Sequence, residues 1–390
     1  MKKRVVILGS TGSIGQSALK VARDLPQHME VIGLAAHRQV DALLAQAHEF
    51  KPQAISISDE TLYPVLRSEA PRQTKTFSGA SGLIELATLA DADLILIAIV
   101  GTQGLQPALA AIRSGKDIAV ASKEILVMAG EIVMREAERH NVRVLPVDSE
   151  HNAIFQCLEG HSHKHISRLI LTASGGPFRQ SSAEEIARAT PAQALRHPTW
   201  KMGAKITIDS ATLFNKGLEM IEARWLFNVP IDRVDVLIHP QSIIHSMVEF
   251  IDGSQLAQMS HTDMCFPIQY AITYPERLPN TLPPLDLTQI RALTFEPPDP
   301  VRFPAINLAR QAGQIGGTLP AVFNAANEVA VAAFLDEKIP FPAIWETVSA
   351  TMQAHAPTLH PHLEEILQAD AWAREYARAH LHLDCSPVVL

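Results

Sequence analysis

Six short aliphatic runs separated by stretches of helical periodicity fill the first 150 residues: RVVIL, EVIGLA, QAISIS, DLILIAIV, DIAVAS and VRVLPV. Each run is apolar at successive positions, so a strand formed from it must be covered on both faces. Helices alternating with such strands supply that cover and carry the chain back, which makes the strands parallel. The expected architecture is α/β: a doubly wound, Rossmann-like dinucleotide-type domain over residues 1–148.

The texture then changes. RLILTASGGPF and AKITIDSAT read as strands ending in polar loops. VDVLIHP, SIIHSMVEFIDG and SQLAQMS read as adjacent antiparallel strands, the last two joined at Asp252-Gly253. They predict an α+β domain over 149–279. Prolines gather in ERLPNTLPPLDLTQI and FEPPDPVRFP, marking a linker over 280–304. INLARQAGQ, LPAVFNAANEVAVAAFLDE, FPAIWETVSATMQAHA and HLEEILQADAWAREYARAHL carry helical periodicity, so residues 305–390 are expected to form a helical bundle.

A chain of 390 residues with 47% hydrophobic residues can build two or three cores, which excludes disorder. A net charge of -8 argues against a polyanion-binding surface, so no nucleic-acid partner is expected. Cys157, Cys265 and Cys385 form no CxxC pair and cannot all be disulfide-bonded, which fits a reducing compartment. The apolar stretch Val5 to Leu8 after the basic start is too short for a secretion signal or a membrane span. A cytoplasmic chain with no membrane partner is the expectation.

GSTGSIG, residues 9–15, lies between the first run and the helical segment QSALKVARDL. Gly9, Gly12 and Gly15 allow a tight turn and close approach to a pyrophosphate, and the helix N-terminus offers free N–H groups. The spacing is GxxGxxG, not GxGxxG, so a purely structural turn competes with this reading. After the second run come Ala36, His37 and Arg38, where NAD enzymes usually place an acid for the ribose 2′-hydroxyl. An arginine attracts a 2′-phosphate, which favours NADP unless Arg38 is only a solvated loop residue. Gly101, Thr102 and Gly104 follow the fourth run, and Lys123 and Glu124 the fifth. Ligands of open α/β sheets bind at the carboxyl ends of strands, so these loops and the DSE segment should rim one crevice.

LPVDSEHNAIF, residues 145–155, ends a buried run with Asp148 and Glu150 two apart. In extended chain they share a face, with Ser149 on the other. Carboxylates so close call for a cation between them, unless they are two unrelated acids at a solvated strand end. Downstream, TASGGPF offers Ser174 before two glycines, LRHPTWKMGAK offers His197, Trp200 and Met202, and IDSATLFNKGLEMIEARWLF offers Ser210 before a helix. On that helix Asn215 and Glu219 share a face beside Lys216, apart from the stripe Phe214, Leu218, Ile221 and Trp225. Serines, an amide and a lysine near a helix start suit a monoester phosphate, and Glu219 is a candidate third metal carboxylate.

GSTGSIG, AIVGTQGLQPALAAIRSGKDIAVASKE, PVDSEHNAIFQ, TASGGPF, HPTWKMGAKITIDSATLFNKGLEMIEA and TLPAVFNAANEVAV together resemble, in order and across nearly the whole chain, the 1-deoxy-D-xylulose 5-phosphate reductoisomerase family. The resemblance implies an NADPH-dependent enzyme that converts this ketose phosphate to 2-C-methyl-D-erythritol 4-phosphate for isoprenoid precursor synthesis, by retro-aldol/aldol rearrangement and then hydride transfer. It implies Asp148, Glu150 and Glu219 as ligands of Mg²⁺ or Mn²⁺, with Co²⁺ a further candidate, and Lys123 with these acids as the catalytic set. Ser174, Ser210, Asn215 and Lys216 match phosphate-binding groups, and His197 lines the same pocket. Trp200 and Met202 lie on a mobile flap near 195–205, and Lys123, Ser149, Glu150 and Glu219 contact substrate. Gly9, Ser10, Thr11, Gly12, Ser13, Ile14, His37, Arg38, Gln39, Gly101, Ser122, Glu124, Gly203 and Met264 match cofactor contacts. Family members are homodimers, which assigns dimerisation to the 149–279 domain.

The family commonly has Asn-Lys-Glu where Ser122-Lys123-Glu124 stand, and a Gly-Lys or Gly-Gly element where His37-Arg38 stand. Neither difference touches the metal or phosphate set. An NADP-dependent oxidoreductase of the homoserine dehydrogenase type would need neither that phosphate set nor three carboxylates. A non-catalytic nucleotide-sensing module would be expected to have lost a carboxylate or Lys123.

Overall fold

The structure, a computed structural model, describes residues 2–200 and 202–383. Its contacts define two compact units. One comprises 1–125, 133–152 and 263–284, the other 126–132, 153–262 and 285–390.

The first unit holds seven strands: β1 Lys3–Leu8, β2 Met29–Ala36, β3 Ala54–Ile57, β4 Lys75–Ser78, β5 Leu94–Ile97, β6 Asp117–Val120 and β7 Val144–Pro146. They pair in parallel in the order β4-β3-β2-β1-β5-β6-β7. Val5 to Leu8 and Leu94 to Ile97 are wholly inaccessible to solvent, as strands covered on both faces must be. The chain order reverses between β1 and β5, the crevice where such sheets take ligands. β4 (KTFS) has no counterpart among the six aliphatic runs. It is the edge strand, with one residue exposed and three half-buried, so it needs no apolar run.

The second unit carries β8 Ile166–Ala173, β9 Val234–Ile238, β10 Ile244–Phe250 and β11 Gln255–Met259 in the order β11-β10-β8-β9. β10 and β11 form the expected antiparallel hairpin, turning at Asp252-Gly253 with Gly253 at φ 83°. β9 runs opposite to β10 as expected but is not its neighbour: it pairs in parallel with β8, which lies between them. A run of apolar residues records that a strand is buried, not which strand it meets.

AKITIDSAT is not a strand: Ala204–Ala211 is a helix capped by Gly203. The alternation in KITID imitates a strand, but of the buried positions Thr207, Ile208, Asp209 and Ala211, the first, second and fourth share a helical face and Asp209 lies beyond it. The expected C-terminal helices are Ala305–Ile315, Leu319–Leu335, Ala343–Ala354 and Leu363–His380. They share one core with β8, β9 and the Phe214–Phe227 helix. Phe214 and Phe323 meet at 5.3 Å between ring centroids, and Phe178 meets Phe341 at 5.1 Å. Each such fully buried ring contributes roughly 1.5–3 kcal/mol. Cys157 and Cys265 are both buried, and burial pushes the Cys265 thiol up to about 12. Cys385 lies outside the described residues.

Candidate active site

In the first unit, β1 runs straight into Gly9, which sits at φ 96°. A Cβ there would lie 2.3 Å from Ala98 O beyond β5, so only glycine lets the two loops of the switch point meet. Gly12 caps the Ser13–Asp24 helix, and the first helical bond back is from Gln16 N to Gly12 O at 2.9 Å. The preceding N–H groups have no helical acceptor and no acid stands in the first turn, which is the arrangement of an anion site. Thr11, Gly12, Ser13 and Ile14 all reach the surface. Ser10 does not: it is wholly buried and donates to Gln46 Oε1 at 2.7 Å, while Gln46 Nε2 donates to Ser10 O at 3.1 Å. Its side chain braces the loop from beneath, and its N–H donates to Ala35 O at 2.8 Å.

His37, Arg38 and Gln39 are exposed at the end of β2. Arg38 Nε is 3.0 Å from Asp59 Oδ2, a partner the sequence reading did not anticipate. The Thr61 hydroxyl and N–H hold the Asp59 carboxyl below the usual range, with Arg38 adding to the effect. Gly101 takes φ 76°, and buried Ser122 donates to Ile99 O in the same loop region. Ser122 thus ties the β5 loop to the start of the Lys123–His140 helix. Met264 is half-buried just before the Cys265–Thr273 helix.

The DSE segment is not extended. β7 ends at Pro146 and Ser149 opens the Ser149–Cys157 helix, so Asp148 and Glu150 flank a helix start. The two-residue strand argument therefore fails, but the acids gain the positive end of the helix. Asp148 Oδ2 takes Lys123 Nζ at 2.6 Å, with both side chains largely buried. Ser149 Oγ donates to Glu150 Oε2 at 2.5 Å, and Glu150 N lies 3.4 Å from Asp148 Oδ1. Asn152 Nδ2 fixes the corner by donating to Pro146 O at 2.8 Å and Pro267 O at 3.2 Å.

In the second unit, His197 Nε2 lies 3.0 Å from both Ser174 Oγ and Ser210 Oγ. Its Nδ1 accepts from the main-chain N–H groups of Thr199 and Trp200 at 3.2 and 2.9 Å. A neutral ring with Nδ1 accepting carries its proton on Nε2 and points it at the serines. Burial, and then Lys216, bring its pKa down to about 4, consistent with that neutral form. Ser174 Oγ also accepts from Gly176 N at 3.2 Å, so the serine hydrogens are left to donate to an incoming anion. Gly175 and Gly176, at φ 84° and 68°, bring this loop within 2.9 Å of Ser210 O as measured from a Cβ placed on Gly176.

Asn215, Lys216 and Glu219 lie on the first turns of the Phe214–Phe227 helix. Asn215 Nδ2 donates to Glu219 Oε1 at 2.5 Å, and Lys216 Nζ is 2.6 Å from Glu219 Oε2. Half-buried Trp200 presents its ring to His245 at 6.2 Å between centroids. His245 was not expected at all, because it stands inside the apolar run SIIHSMVEF. Burial lowers its pKa to about 4. Met202 is half-buried, and Gly203 is exposed at the helix cap.

The first unit therefore holds Lys123, Asp148, Ser149 and Glu150 together with the glycine loop that follows β1. The second groups Ser174, His197 and Ser210, and separately Asn215, Lys216 and Glu219. A switch-point glycine loop beside a lysine–carboxylate corner defines the class, a dinucleotide-dependent oxidoreductase fold.

Family models for "1-deoxy-D-xylulose 5-phosphate reductoisomerase" match residues 5–130, for its C-terminal domain residues 144–227, and for "DXP reductoisomerase C-terminal domain" residues 259–376. A reductoisomerase of this name from Chlorobium chlorochromatii is 54% identical over 379 residues, covering 96% of this chain and 98% of that one. Its counterpart from Chlorobaculum tepidum is 54% identical over 377 residues, covering 96% and 99%. Among solved structures, the Zymomonas mobilis reductoisomerase in complex with NADPH is 45% identical with a TM-score of 0.92, covering 98% of this chain and 99% of that one. A DOX-P reductoisomerase in complex with NADPH, fosmidomycin and magnesium is 41% identical with a TM-score of 0.92, covering 97% and 98%. The chain belongs to the 1-deoxy-D-xylulose 5-phosphate reductoisomerase family. That membership decides against the homoserine dehydrogenase and sensing-module readings.

Proposed function

We propose that the chain catalyses the reaction of its family, isomerising 1-deoxy-D-xylulose 5-phosphate and reducing it to 2-C-methyl-D-erythritol 4-phosphate with NADPH and a divalent cation. The observation that carries this at the level of residues is the Ser174–His197–Ser210 cluster, a neutral donor set next to an ammonium that suits a phosphate monoester.

Asp148, Glu150 and Glu219 are the residues that would hold the cation. They offer only hard oxygen ligands, which fits Mg²⁺ or Mn²⁺. The ammonium that each of Asp148 and Glu219 attracts agrees with sites whose negative charge needs a cation. When bound, the ion supplies Lewis-acid polarisation of the ketone and neighbouring hydroxyl oxygens, and NADPH supplies the hydride. Lys123 stabilises developing oxyanion charge, and Ser149 orients a substrate hydroxyl. Ser174, Ser210, Asn215, Lys216 and His197 grip the phosphate, so that binding energy remote from the reacting carbons orients the substrate. Trp200 and Met202 close over it and exclude water.

On the cofactor side, the main chain of residues 9–14 takes the pyrophosphate and Arg38 the 2′-phosphate, with His37, Gln39, Gly101, Ser122, Glu124, Gly203 and Met264 completing the contacts. The proposal includes a homodimer, from the family resemblance, and a cytoplasmic location, from the cysteines. Among the described residues no helix is long and apolar enough to cross a membrane.

The test is NADPH oxidation with 1-deoxy-D-xylulose 5-phosphate, with Mn²⁺ and after complete chelation. Turnover is expected only with metal. No oxidation with this substrate removes the proposal, and undiminished turnover after chelation removes the role of the three carboxylates.

A further inference from the structure

The Leu319–Leu335 helix lies in the core of the second unit and is apolar along most of its length, yet Asn324, Asn327 and Glu328 are buried within it. A buried amide costs free energy unless it is hydrogen-bonded, so each needs a reason to be there. Asn327 is fully buried, and among the described residues its Oδ1 has no hydrogen-bond partner. Its Nδ2 donates to Asp209 Oδ1 at 2.8 Å, across 118 residues of sequence. The other Asp209 oxygen takes Lys205 Nζ at 2.8 Å, and the Asp209 side chain is 1% exposed. A leucine at 327 would fill a core position without leaving an unpartnered carbonyl.

Asp209 and Ser210 are neighbours on the Ala204–Ala211 helix, about 100° apart around its axis. Asp209 points to the C-terminal helices, and Ser210 points to His197 Nε2 at 3.0 Å. We infer that Asn327 and Asp209 are a positioning pair that fixes the rotation of this helix and so holds Ser210 in the phosphate set. The inference rests on the proposed reading of Ser210 as a phosphate-binding residue. A polar contact suits the task better than an apolar one, because it has a single satisfied arrangement where an apolar face tolerates sliding.

Asn324 supplies the control. It stands one turn earlier on the same helix and is equally buried, but its Nδ2 donates to Glu328 Oε1 at 2.9 Å, and Glu328 pairs with Arg374 Nη2 at 2.7 Å. Those bonds join residues of the C-terminal helices to one another. The experiment compares the full-length chain with Asn327→Ala and Asn324→Ala in steady-state kinetics and thermal unfolding. Asn327→Ala is expected to raise KM for 1-deoxy-D-xylulose 5-phosphate about tenfold, the effect of about one hydrogen bond, and to leave KM for NADPH within about twofold. Asn324→Ala is expected to lower Tm while leaving both KM values unchanged. If Asn327→Ala does not fold, Asn327→Ser keeps a small polar group there and is read in the same way. Wild-type turnover with an unmoved substrate KM in the Asn327 variant overturns the pair alone, as does an equal KM rise in Asn324→Ala. A wild-type chain that does not turn over this substrate overturns the reading of the site, and the pair with it.

Discussion

The ammonium of Lys216 lies 2.6 Å from the carboxylate of Glu219, with the two side chains only 6% and 1% exposed. A pair this deep is weak evidence of stability for its own sake, because the desolvation of both ions offsets most of their attraction. Breaking it from one side is a different matter. Lys216→Met should cost about 3–5 kcal/mol of stability by leaving a carboxylate in the interior. If Glu219 is a metal ligand, Mn²⁺ should recover much of that loss in Lys216→Met and little in Glu219→Gln. Unfolding midpoints with and without Mn²⁺ measure this, and equal metal responses in the two variants would count against Glu219 as a ligand.

Arg38 is exposed and tied to Asp59 at 3.0 Å. A 2′-phosphate would compete for the same guanidinium, bringing two negative charges where Asp59 brings one. Arg38→Ala should therefore lower kcat/KM for NADPH at least about tenfold and leave NADH almost unaffected, narrowing the preference between them. An unchanged ratio would place 2′-phosphate recognition elsewhere in the loop.

His197, with its pKa brought down to about 4 from 6.5 by burial and then Lys216, gives a pH dependence of known sign. Between those two values the unfolded chain holds a proton that the folded chain does not. Stability from this group is thus fully present above about pH 6.5 and is lost as the pH falls toward 4. His197→Gln should flatten the fall of Tm across that window. The slope should not vanish, because His245 is displaced to about 4 as well. Identical slopes in wild type and variant would show that His197 does not titrate in this way.

The Trp200 ring packs against His245, while its main-chain N–H donates to His197 Nδ1. Trp200→Ala should accordingly lower kcat by about tenfold or more, through water reaching the site, while Mn²⁺ affinity stays within about twofold. Full activity in Trp200→Ala would be incompatible with a water-excluding flap.

Much of the fold was legible because burial on both faces leaves a mark in composition. Val5 to Leu8 and Leu94 to Ile97 could hardly be anything but interior strands. β4 was invisible for the converse reason: at the edge of the sheet, Lys75 to Ser78 need not be apolar. Ala204–Ala211 was misread because a five-residue alternation lies within the reach of chance, and the contacts that make it helical, to Asn327 above all, come from far along the chain. In the site, residue types at loop ends marked Lys123, Asp148, Ser174 and Lys216. Their braces Gln46, His245 and Asn327 gave no such signal, because a buried polar residue in an apolar run looks like noise until its partner is seen, and Asp59 looks like any loop acid.

The parallel pairing of β9 with β8 bears on the second unit in another way. Everything from Ser174 to Arg233, including the serines, His197, Trp200 and the lysine–glutamate pair, is one excursion that leaves the sheet at β8 and re-enters it on the adjacent strand. Because the two strands are parallel, Val234 pairs beside Leu169 and not beside Ala173, so the excursion is a crossover that carries the chain from one end of the strands back to the other. Such a crossover can lengthen between the Ala183–Ala187 and Pro191–Ala194 helices without disturbing the register of the sheet. The excursion is thus anchored where its Phe214–Phe227 helix enters the core it shares with both strands, and its outer turns are the part left free to vary.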